Sequence, residues 1–153
     1  MLCVSVVQRK DDLTQLVQEI NPAAWDEGNE IATYHVNALA AYLERQDTVF
    51  VVCHFVVGQS KTLYGMASAR LEVKPYDNSK WLYVDEVDVC ADQRQKGAGK
   101  ALMRKLIEIA RNNGCEEVWL GTEADNLAAN ALYRSLDPDD VASVIGYTYE
   151  LDG

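Results

Sequence analysis

The sequence predicts an α/β sandwich with an antiparallel front half and a β-α-β unit behind it. Three observations lead to this fold class. Segments with strand-like and helix-like apolar spacing follow one another in the order β-α-α-β-β-β-α-β-α-β. Two β-rich runs are separated only by residues 59–61, as in a hairpin. The 153 residues contain no repeat, low-complexity tract or Pro/Gly-rich linker, so we expect a single domain over residues 1–153.

Each element has its own local signal. Strand segments alternate apolar and polar residues or are rich in β-branched and aromatic residues, and helical segments repeat apolar residues every three to four positions. Asn21-Pro22 closes the first helix, and Asn113-Gly114 is a suitable C-cap for the clearest one. The predicted elements are strand 2–8, helix 11–20, helix 33–45, strands 48–58, 62–73 and 81–90, a helix from Gly97, strand 116–122, helix 126–136 and strand 143–151.

Composition excludes several classes of function. A net charge of −10 argues against nucleic acid as a partner, because phosphate backbones require a basic surface. No apolar run approaches the ~18 residues that span a bilayer, and residues 1–13 do not resemble a signal peptide. The four cysteines are scattered without a C-x-x-C pair and there are two histidines, so we expect reduced thiols, no metal site and a cytoplasmic protein without a membrane partner.

Charge is unevenly distributed along the chain. Residues 92–111 contain six basic and two acidic side chains, whereas residues 116–153 contain nine acidic and one basic. For most of these side chains, two solvated faces are a sufficient explanation. The same distribution suits a protein that binds an anionic cofactor at one place and a cationic substrate at another.

A glycine motif lies at the centre of the basic segment. Residues 94–99 fit R-x-x-G-x-G, directly after a predicted strand and at the start of a helix. Glycines allow close backbone approach, and the unsatisfied N–H groups of a helix start attract phosphate. Arg94, Lys96 and Lys100 add positive charge, so the motif predicts a pyrophosphate cradle. The alternative is a glycine turn with incidental basic residues, since neither a Walker loop nor G-x-G-x-x-G is present.

Residues 83–102 together with 122–136 resemble the GCN5-related N-acetyltransferase (GNAT) superfamily. That signature is a strand ending in apolar-x-Val, then [RQ]-x-x-G-x-[GA], then N-x-x-A-x-x-x-Tyr on a helix after the next strand. The matching positions are Val87, Val89, residues 94–99, Asn126, Ala129 and Tyr133.

The resemblance implies a mixed central sheet of six to seven strands, with two parallel central strands splayed apart, flanked by about four helices. Acetyl-CoA would enter the gap, with its pantetheine beside residues 88–90 and its pyrophosphate on residues 95–100. The expected cofactor-binding residues are Val87, Asp88, Val89, Arg94, Gln95, Lys96, Gly97, Ala98, Gly99, Lys100, Asn126, Ala129 and Tyr133.

The resemblance also implies direct attack of an amine on the thioester. The Val89 N–H would polarise the carbonyl, and Tyr133 would protonate the leaving sulfur. Tyr133 also fits an apolar helix face. We predict Glu86 as the base, directly or through a water. By the period of two it shares a strand face with Asp88, opposite Asp85, Val87 and Val89. The alternative is that these carboxylates are solvated or hold a cationic substrate.

A finer resemblance is to the aminoglycoside 3-N-acetyltransferases, which would confer antibiotic resistance. It rests on the hairpin 48–73, on Glu86 and Glu123, and on Arg-Ser-Leu-Asp-Pro in place of the usual Gly-Phe after Tyr133. A polycationic acceptor requires a carboxylate cleft, for which the candidates are Asp26, Glu27, Glu30, Glu86, Glu123, Asp125, Asp139 and Asp140. Alternatives are a polyamine or protein-amine acetyltransferase and a non-catalytic CoA-binding module. The segment around Tyr147 allows a homodimer.

Overall fold

The computed structural model describes residues 1–25, 31–93 and 96–152. The chain forms two compact units, Met1–Leu120 and Gly121–Gly153. The first unit contains β1 (Leu2–Val6), α1 (Leu13–Ile20), α2 (Val36–Glu44), β2 (Thr48–Val57), β3 (Ser60–Val73), β4 (Lys80–Val89), a 3-10 turn (Ala91–Gln93), α3 (Ala98–Asn112) and β5 (Cys115–Trp119); the second contains α4 (Leu127–Arg134).

The strands form one sheet in the order β1-β2-β3-β4-β5. The first three pairings are antiparallel, and β4 pairs with β5 in parallel through the α3 crossover. This confirms the predicted fold class, an antiparallel front half followed by a β-α-β unit. None of the helices within the described ranges combines the length and apolar character needed to traverse a membrane.

Helices α1 and α2 pack on one face of the sheet. The Asp12 side chain caps α1 by accepting a hydrogen bond from the Gln15 N–H at 3.0 Å. The core cluster joins apolar side chains of α1 and α2 with four residues of the sheet, Phe50, Val52, Leu63 and Met66. We call the side of the sheet that carries these four residues the α1/α2 face.

Helix α3 covers the opposite side, which we call the α3 face. Its Leu102 and Leu106 are fully buried. A Cβ placed on Gly65 of β3 would lie 3.0 Å from the Leu102 Cδ1 atom and 2.8 Å from the Asp88 carbonyl oxygen. Glycine is therefore required at position 65 for the close approach of α3 and β4 to β3. The predicted cap is confirmed, because Gly114 follows the helix with a φ of 73°.

The sheet has fewer strands than the resemblance implied. Five strands are present in the described part of the chain, and residues 141–152, which include the predicted strand 143–151, form none. Apolar residues do alternate with others in that segment. They are exposed, however: Ile145, Tyr147 and Tyr149 are 76%, 78% and 83% exposed. Alternation shows which side chains share a face, but a strand also needs a hydrogen-bonding neighbour. The expectation of six to seven strands is therefore wrong.

Candidate active site

Strands β4 and β5 separate after a short parallel pairing. The pairs run from Lys80↔Cys115 to Tyr83↔Trp119, and β5 ends there, whereas β4 continues to Val89. Residues 84–89 consequently have one edge without a β5 partner among the residues described. We call this unpaired edge of β4 the notch. It lies in the first unit, where the resemblance implied a gap between splayed strands.

The backbone groups that face the notch follow from the antiparallel register. The Cys90 N–H donates to the Tyr64 carbonyl of β3 at 2.9 Å. Because N–H groups alternate between the two edges of a strand, those of Val87 and Val89 point away from β3, into the notch. The Cys90 N–H is already used, so backbone pairing with an extended ligand is offered by Val87 and Val89.

The far end of the notch is closed by the segment that follows α1. Trp25 forms an isolated antiparallel bridge with Cys90, and the Ala91 N–H donates to the Ala24 carbonyl at 2.7 Å. The Trp25 Nε1–H is anchored on the Ile20 carbonyl at 2.9 Å. From Tyr83 to Ala91 the strand covers about 26 Å at ~3.3 Å per residue. The notch is therefore a bounded slot long enough for an extended polar chain.

A β-bulge decides which side chains of β4 flank the notch. The register passes from Ser68↔Glu86 to Ala69↔Val84, so Asp85 is the extra residue. Asp88 pairs with Met66 of the α1/α2 face, and Glu86 pairs with Ser68, two residues further along β3. Both carboxylates therefore lie on the α1/α2 face, while Val84 shares the α3 face with Ala69.

The bulge also moves Asp85. Its carboxylate accepts from the Arg70 Nε–H at 3.1 and 3.2 Å, and Arg70 lies over the Tyr83 ring on the α1/α2 face. Arg70 also donates to Glu72 at 2.6 Å. The prediction that Asp85 lies opposite Glu86 is wrong, because it assumed unbroken alternation. Arg70 holds the Asp85 carboxylate in an ion pair, which makes Asp85 a weaker candidate for the base than Glu86.

The two predicted carboxylates of β4 differ in environment. Asp88 is buried, at 5% exposure, whereas Glu86 is exposed. No hydrogen bond or ion pair engages the Glu86 side chain within residues 1–25, 31–93 and 96–152. A solvent-accessible carboxylate without a cationic partner is able to accept a proton from an incoming ammonium group. These same ranges contain no cluster of three His, Cys, Asp or Glu side chains placed to hold a metal ion.

The start of α3 has the chemistry of a phosphate cradle. Gly97 is the N-cap residue with a φ of 90°, and within the described first turn of α3 there is no acidic residue and no side-chain cap. The N–H groups of this turn are therefore open to an anion. Lys96 is exposed and donates from Nζ to the Gln93 Oε1 at 3.0 Å, while Lys100 is half-buried in the first turn with Ala98 and Gly99. Arg94 and Gln95 lie outside the described residues.

The second unit contains the remaining predicted residues. Asn126 caps α4, its side chain accepting from the Ala129 N–H at 3.1 Å, which gives both residues a local structural role. Tyr133 is half-buried on the same helix. The predicted acids of this unit, Glu123, Asp125, Asp139 and Asp140, are exposed. The predicted acids Asp26, Glu27 and Glu30 lie outside the described residues, and a cleft formed by all these carboxylates remains a prediction.

Sequence reasoning missed three residues around the notch and Glu86. Trp25 closes the notch through a pairing distant in sequence, and Ser68 is the register partner of Glu86. Tyr34 was placed inside the second helix, but α2 begins at Val36. Burial, and then the negative charges of Glu86 and Asp88, raise the pKa of Tyr34 to about 12. The β-branched Thr33 lowers helix propensity only slightly, so the local sequence held little sign that α2 begins after Tyr34.

Comparison with known proteins identifies the family. The model of the Acetyltransferase (GNAT) family matches residues 10–137, so the chain belongs to that family. Members of this family use acetyl-CoA, and the notch, the open α3 start and the basic residues beside it fit that cofactor. The match supports the prediction of an acyltransferase.

Several curated relatives match part of the chain. Human N-acetyltransferase 8 is 33% identical over 84 residues, which are 55% of this chain and 37% of that protein. The [ribosomal protein bS18]-alanine N-acetyltransferase of Escherichia coli K12 is 34% identical over 67 residues, 44% of this chain and 45% of that protein. The chain thus spans less than half the length of these relatives.

Solved structures resemble the chain over nearly its whole length. The aminoglycoside acetyltransferase meta-AAC0020 from an uncultured soil metagenomic sample, in complex with sisomicin, has a TM-score of 0.81 at 18% identity and covers 99% of this chain and 97% of its own. AAC(6')-Iy, in complex with a CoA-containing bisubstrate analogue, has a TM-score of 0.74 at 18% identity, with 99% coverage of both chains. At these identities the likeness establishes the fold.

Proposed function

We propose that the chain is an acetyl-CoA-dependent N-acetyltransferase that passes an acetyl group directly to an amine of a polycationic small molecule. The observation that carries this proposal is the juxtaposition at the end of β4. The Val87 and Val89 N–H groups face the notch, and the exposed carboxylate of Glu86 lies on the adjacent α1/α2 face. Backbone N–H groups that could bind acetyl-CoA and a base that could deprotonate an amine therefore occur within four residues of one strand.

The cofactor would be held by backbone groups at both ends of its polar chain. In this proposal Val87 and Val89 pair with the pantetheine amides, and residues 95–100 receive the diphosphate, whose charge Arg94, Lys96 and Lys100 neutralise. Acetyl-CoA supplies the activated acyl thioester when bound. The protein's own contribution at this end is position and positive charge.

Three groups of the protein take part in the transfer. Glu86 accepts a proton from the acceptor ammonium, directly or through a water, so that the amine becomes nucleophilic. The Val89 N–H donates toward the position where negative charge develops on the carbonyl oxygen. Tyr133, assigned from its place in the family motif, gives its hydroxyl proton to the departing sulfur. The acceptor nitrogen loses two protons on the way from ammonium to amide. Glu86 takes the first and later returns it to solvent, and the second replaces the proton that Tyr133 gave to the sulfur, so the protein ends unchanged.

An aminoglycoside is the proposed acceptor, with the 3-N position favoured by the likeness of residues 48–73, Glu86 and Glu123 to that branch. A net charge of −10 suits a multiply protonated sugar. The aminoglycoside acetyltransferases among the structural neighbours support the same substrate class. Under this proposal, a cell that makes the protein is resistant to such antibiotics.

A second candidate acceptor is the N-terminal amine of a protein. It is favoured by the similarity to the [ribosomal protein bS18]-alanine N-acetyltransferase of Escherichia coli. That acceptor carries a single reactive amine on a peptide, whereas the aminoglycoside carries several ammonium groups on a compact ring system. The two acceptors are therefore separable by assay.

The test measures release of free thiol from acetyl-CoA with kanamycin-, gentamicin- and sisomicin-type drugs, with spermidine, and with a peptide that begins with alanine. We expect release with at least one drug and loss of release in Glu86→Gln. The matched control is Asp85→Asn, which changes the neighbouring carboxylate that Arg70 already engages. Release with the peptide alone would favour the second candidate, and no release with any amine would contradict the proposed function.

A further inference from the structure

Tyr34 occupies a fixed position in the loop before α2. The Asn21 side chain bonds both of its backbone groups: the Asn21 Nδ2–H donates to the Tyr34 carbonyl at 3.0 Å, and the Tyr34 N–H donates to the Asn21 Oδ1 at 2.9 Å. One amide thus holds the tyrosine backbone to the end of α1. The side chain is half-buried, so part of it remains accessible.

The ring of Tyr34 stands at one end of a row of side chains on the α1/α2 face. It packs edge-on against Phe50, with ring centroids 6.0 Å apart. Phe50 pairs in register with Ser68, and Ser68 pairs with Glu86. Neighbouring strands lie about 4.8 Å apart, so Glu86 is about 10 Å from Phe50 across the sheet, with Ser68 between them.

The middle of this row is partly exposed to solvent. Phe50 is 2% exposed, whereas Ser68 is half-buried although its neighbour Met66 is 1% exposed. Because Ser68 is small and retains exposure between a buried aromatic residue and an exposed carboxylate, we infer that it forms the floor of a hollow. We call this hollow, floored by Ser68 and bordered by Tyr34 and Glu86, the Ser68 hollow.

Tyr42 also contacts Phe50, and its role is purely structural. Its ring also packs edge-on against Phe50, at 6.4 Å. Its hydroxyl, however, lies 3.1 Å from the Val49 carbonyl oxygen and 3.0 Å from the Ala69 carbonyl oxygen and donates between them. No such hydrogen bond of the Tyr34 hydroxyl occurs within the described part of the chain. The two tyrosines share ring packing and differ in the use of the hydroxyl.

The Tyr34 phenol is electrostatically coupled to the carboxylates of β4. The ring contact with Phe50, which pairs with Ser68 and through it with Glu86, puts Tyr34 on the same face of the sheet as these carboxylates. Burial, followed by the negative charges of Glu86 and Asp88, raises the pKa of Tyr34 to about 12. The phenol therefore stays neutral at physiological pH, with two lone pairs that are able to accept from a cation.

We propose that Tyr34 is a specificity-determining residue whose hydroxyl oxygen accepts a hydrogen bond from the acceptor ammonium that Glu86 holds over the Ser68 hollow. This inference rests on the proposed function and assigns the amine to one side of the notch. The neutral phenol adds a directional contact without a further negative charge, and its ring supplies an apolar wall. An acceptor with a primary ammonium group satisfies both Glu86 and Tyr34, because it has more than one N–H to donate.

The experiment compares Tyr34→Phe with the matched control Tyr42→Phe, using steady-state kinetics and thermal unfolding. We expect Tyr34→Phe to raise the acceptor KM about tenfold or more, the usual cost of a hydrogen bond to a charged group, with the acetyl-CoA KM and Tm unchanged. Tyr42→Phe should lower Tm and leave both KM values unchanged. An acceptor KM in Tyr34→Phe equal to that of the unaltered protein would overturn the inference.

A second variant tests the hollow independently of the hydroxyl. Ser68→Val adds bulk to its floor and should also raise the acceptor KM without changing the acetyl-CoA KM. Failure of the proposed function is recognised separately, because the unaltered protein would then release no thiol with any amine. In that event calorimetry with kanamycin decides the inference: absent binding, or binding of equal affinity in Tyr34→Phe, overturns it, and weaker binding in that variant supports it.

Discussion

Replacement of Gly97 by aspartate separates cofactor binding from backbone strain, provided that it is compared with Gly58→Asp. Both glycines have left-handed backbone, with φ values of 90° and 59°. Among the residues that the structure describes, a Cβ at position 58 meets nothing within 4 Å, and one at position 97 meets only the Leu2 Cδ1 atom at 3.6 Å, an ordinary contact. Steric crowding is therefore negligible at both sites. Each variant bears mainly the cost of a left-handed non-glycine residue, about 1–2 kcal/mol.

The two variants differ in where the new carboxylate lies. At position 97 it stands at the open start of α3, where we place the diphosphate of the cofactor. One added charge 4 Å from another costs about 4 kcal/mol at an effective dielectric constant near 20, which corresponds to a loss of affinity of roughly a thousandfold at most. At position 58 it lies in the β2–β3 turn, outside the proposed cradle.

Calorimetric titration with CoA and thermal unfolding measure the two effects. We expect both variants to lose a few degrees of Tm, since ~1–2 kcal/mol shifts a domain of this size by about 2–8 °C. Only Gly97→Asp should lose CoA affinity. CoA affinity retained in Gly97→Asp, or lost equally in Gly58→Asp, would refute the assignment of the cradle.

Three further outcomes are expected. Tyr133→Phe should lower kcat by ~10²-fold or more with unchanged CoA affinity, as for a lost general acid; unchanged kcat would remove Tyr133 from the mechanism. Glu86→Gln should lower kcat/KM by ~10²-fold while Asp85→Asn changes it little, because Arg70 already holds Asp85; equal losses in steady-state assays would contradict a special role for Glu86. Burial raises the pKa of Tyr34 and Tyr42 to about 12 and that of Cys53 and Cys90 to about 11. The folded state therefore retains protons that the unfolded chain releases, and the free energy of unfolding should fall as pH rises from about 9 to 12. A flat profile in denaturant unfolding would argue against burial of these groups.

Local chemistry made much of the first unit predictable. Gly97 directly before α3 and Gly114 just after it both have left-handed φ values, and glycine-dependent turns at both positions were expected from sequence. The predicted hairpin forms with Gly58 in its turn, and the five strands and four helices follow the predicted order. These features depend on neighbouring residues, so that periodicity and turn residues were sufficient to find them.

The features that shape the candidate site depend on pairing between distant residues. At the bulge at Asp85, the side chains of β4 change the face of the sheet to which odd and even positions point. An alternating sequence contains no sign of the extra residue. The bridge between Trp25 and Cys90 joins segments far apart in the chain. The predicted strand 143–151 has the correct alternation but no strand partner in the described residues, and alternation alone cannot supply one.

Glu86 shows how sequence and structure together identify a candidate base. Its identity as the candidate base came from its place in the motif, three residues before Val89. Its availability came from the structure, because Arg70 engages Asp85 and leaves Glu86 exposed beside Ser68. Sequence alone does not distinguish adjacent carboxylates whose only difference is a salt bridge to another strand.

Mass spectrometry of a candidate acceptor, incubated with the protein and acetyl-CoA, tests acetyl transfer most directly. We predict that an aminoglycoside gains a single acetyl group on an amine, with one CoA formed per product, and that Glu86→Gln slows the gain by ~10²-fold. An unmodified acceptor across the panel of drugs, spermidine and the alanine peptide, with protein that is folded by circular dichroism, would contradict the account.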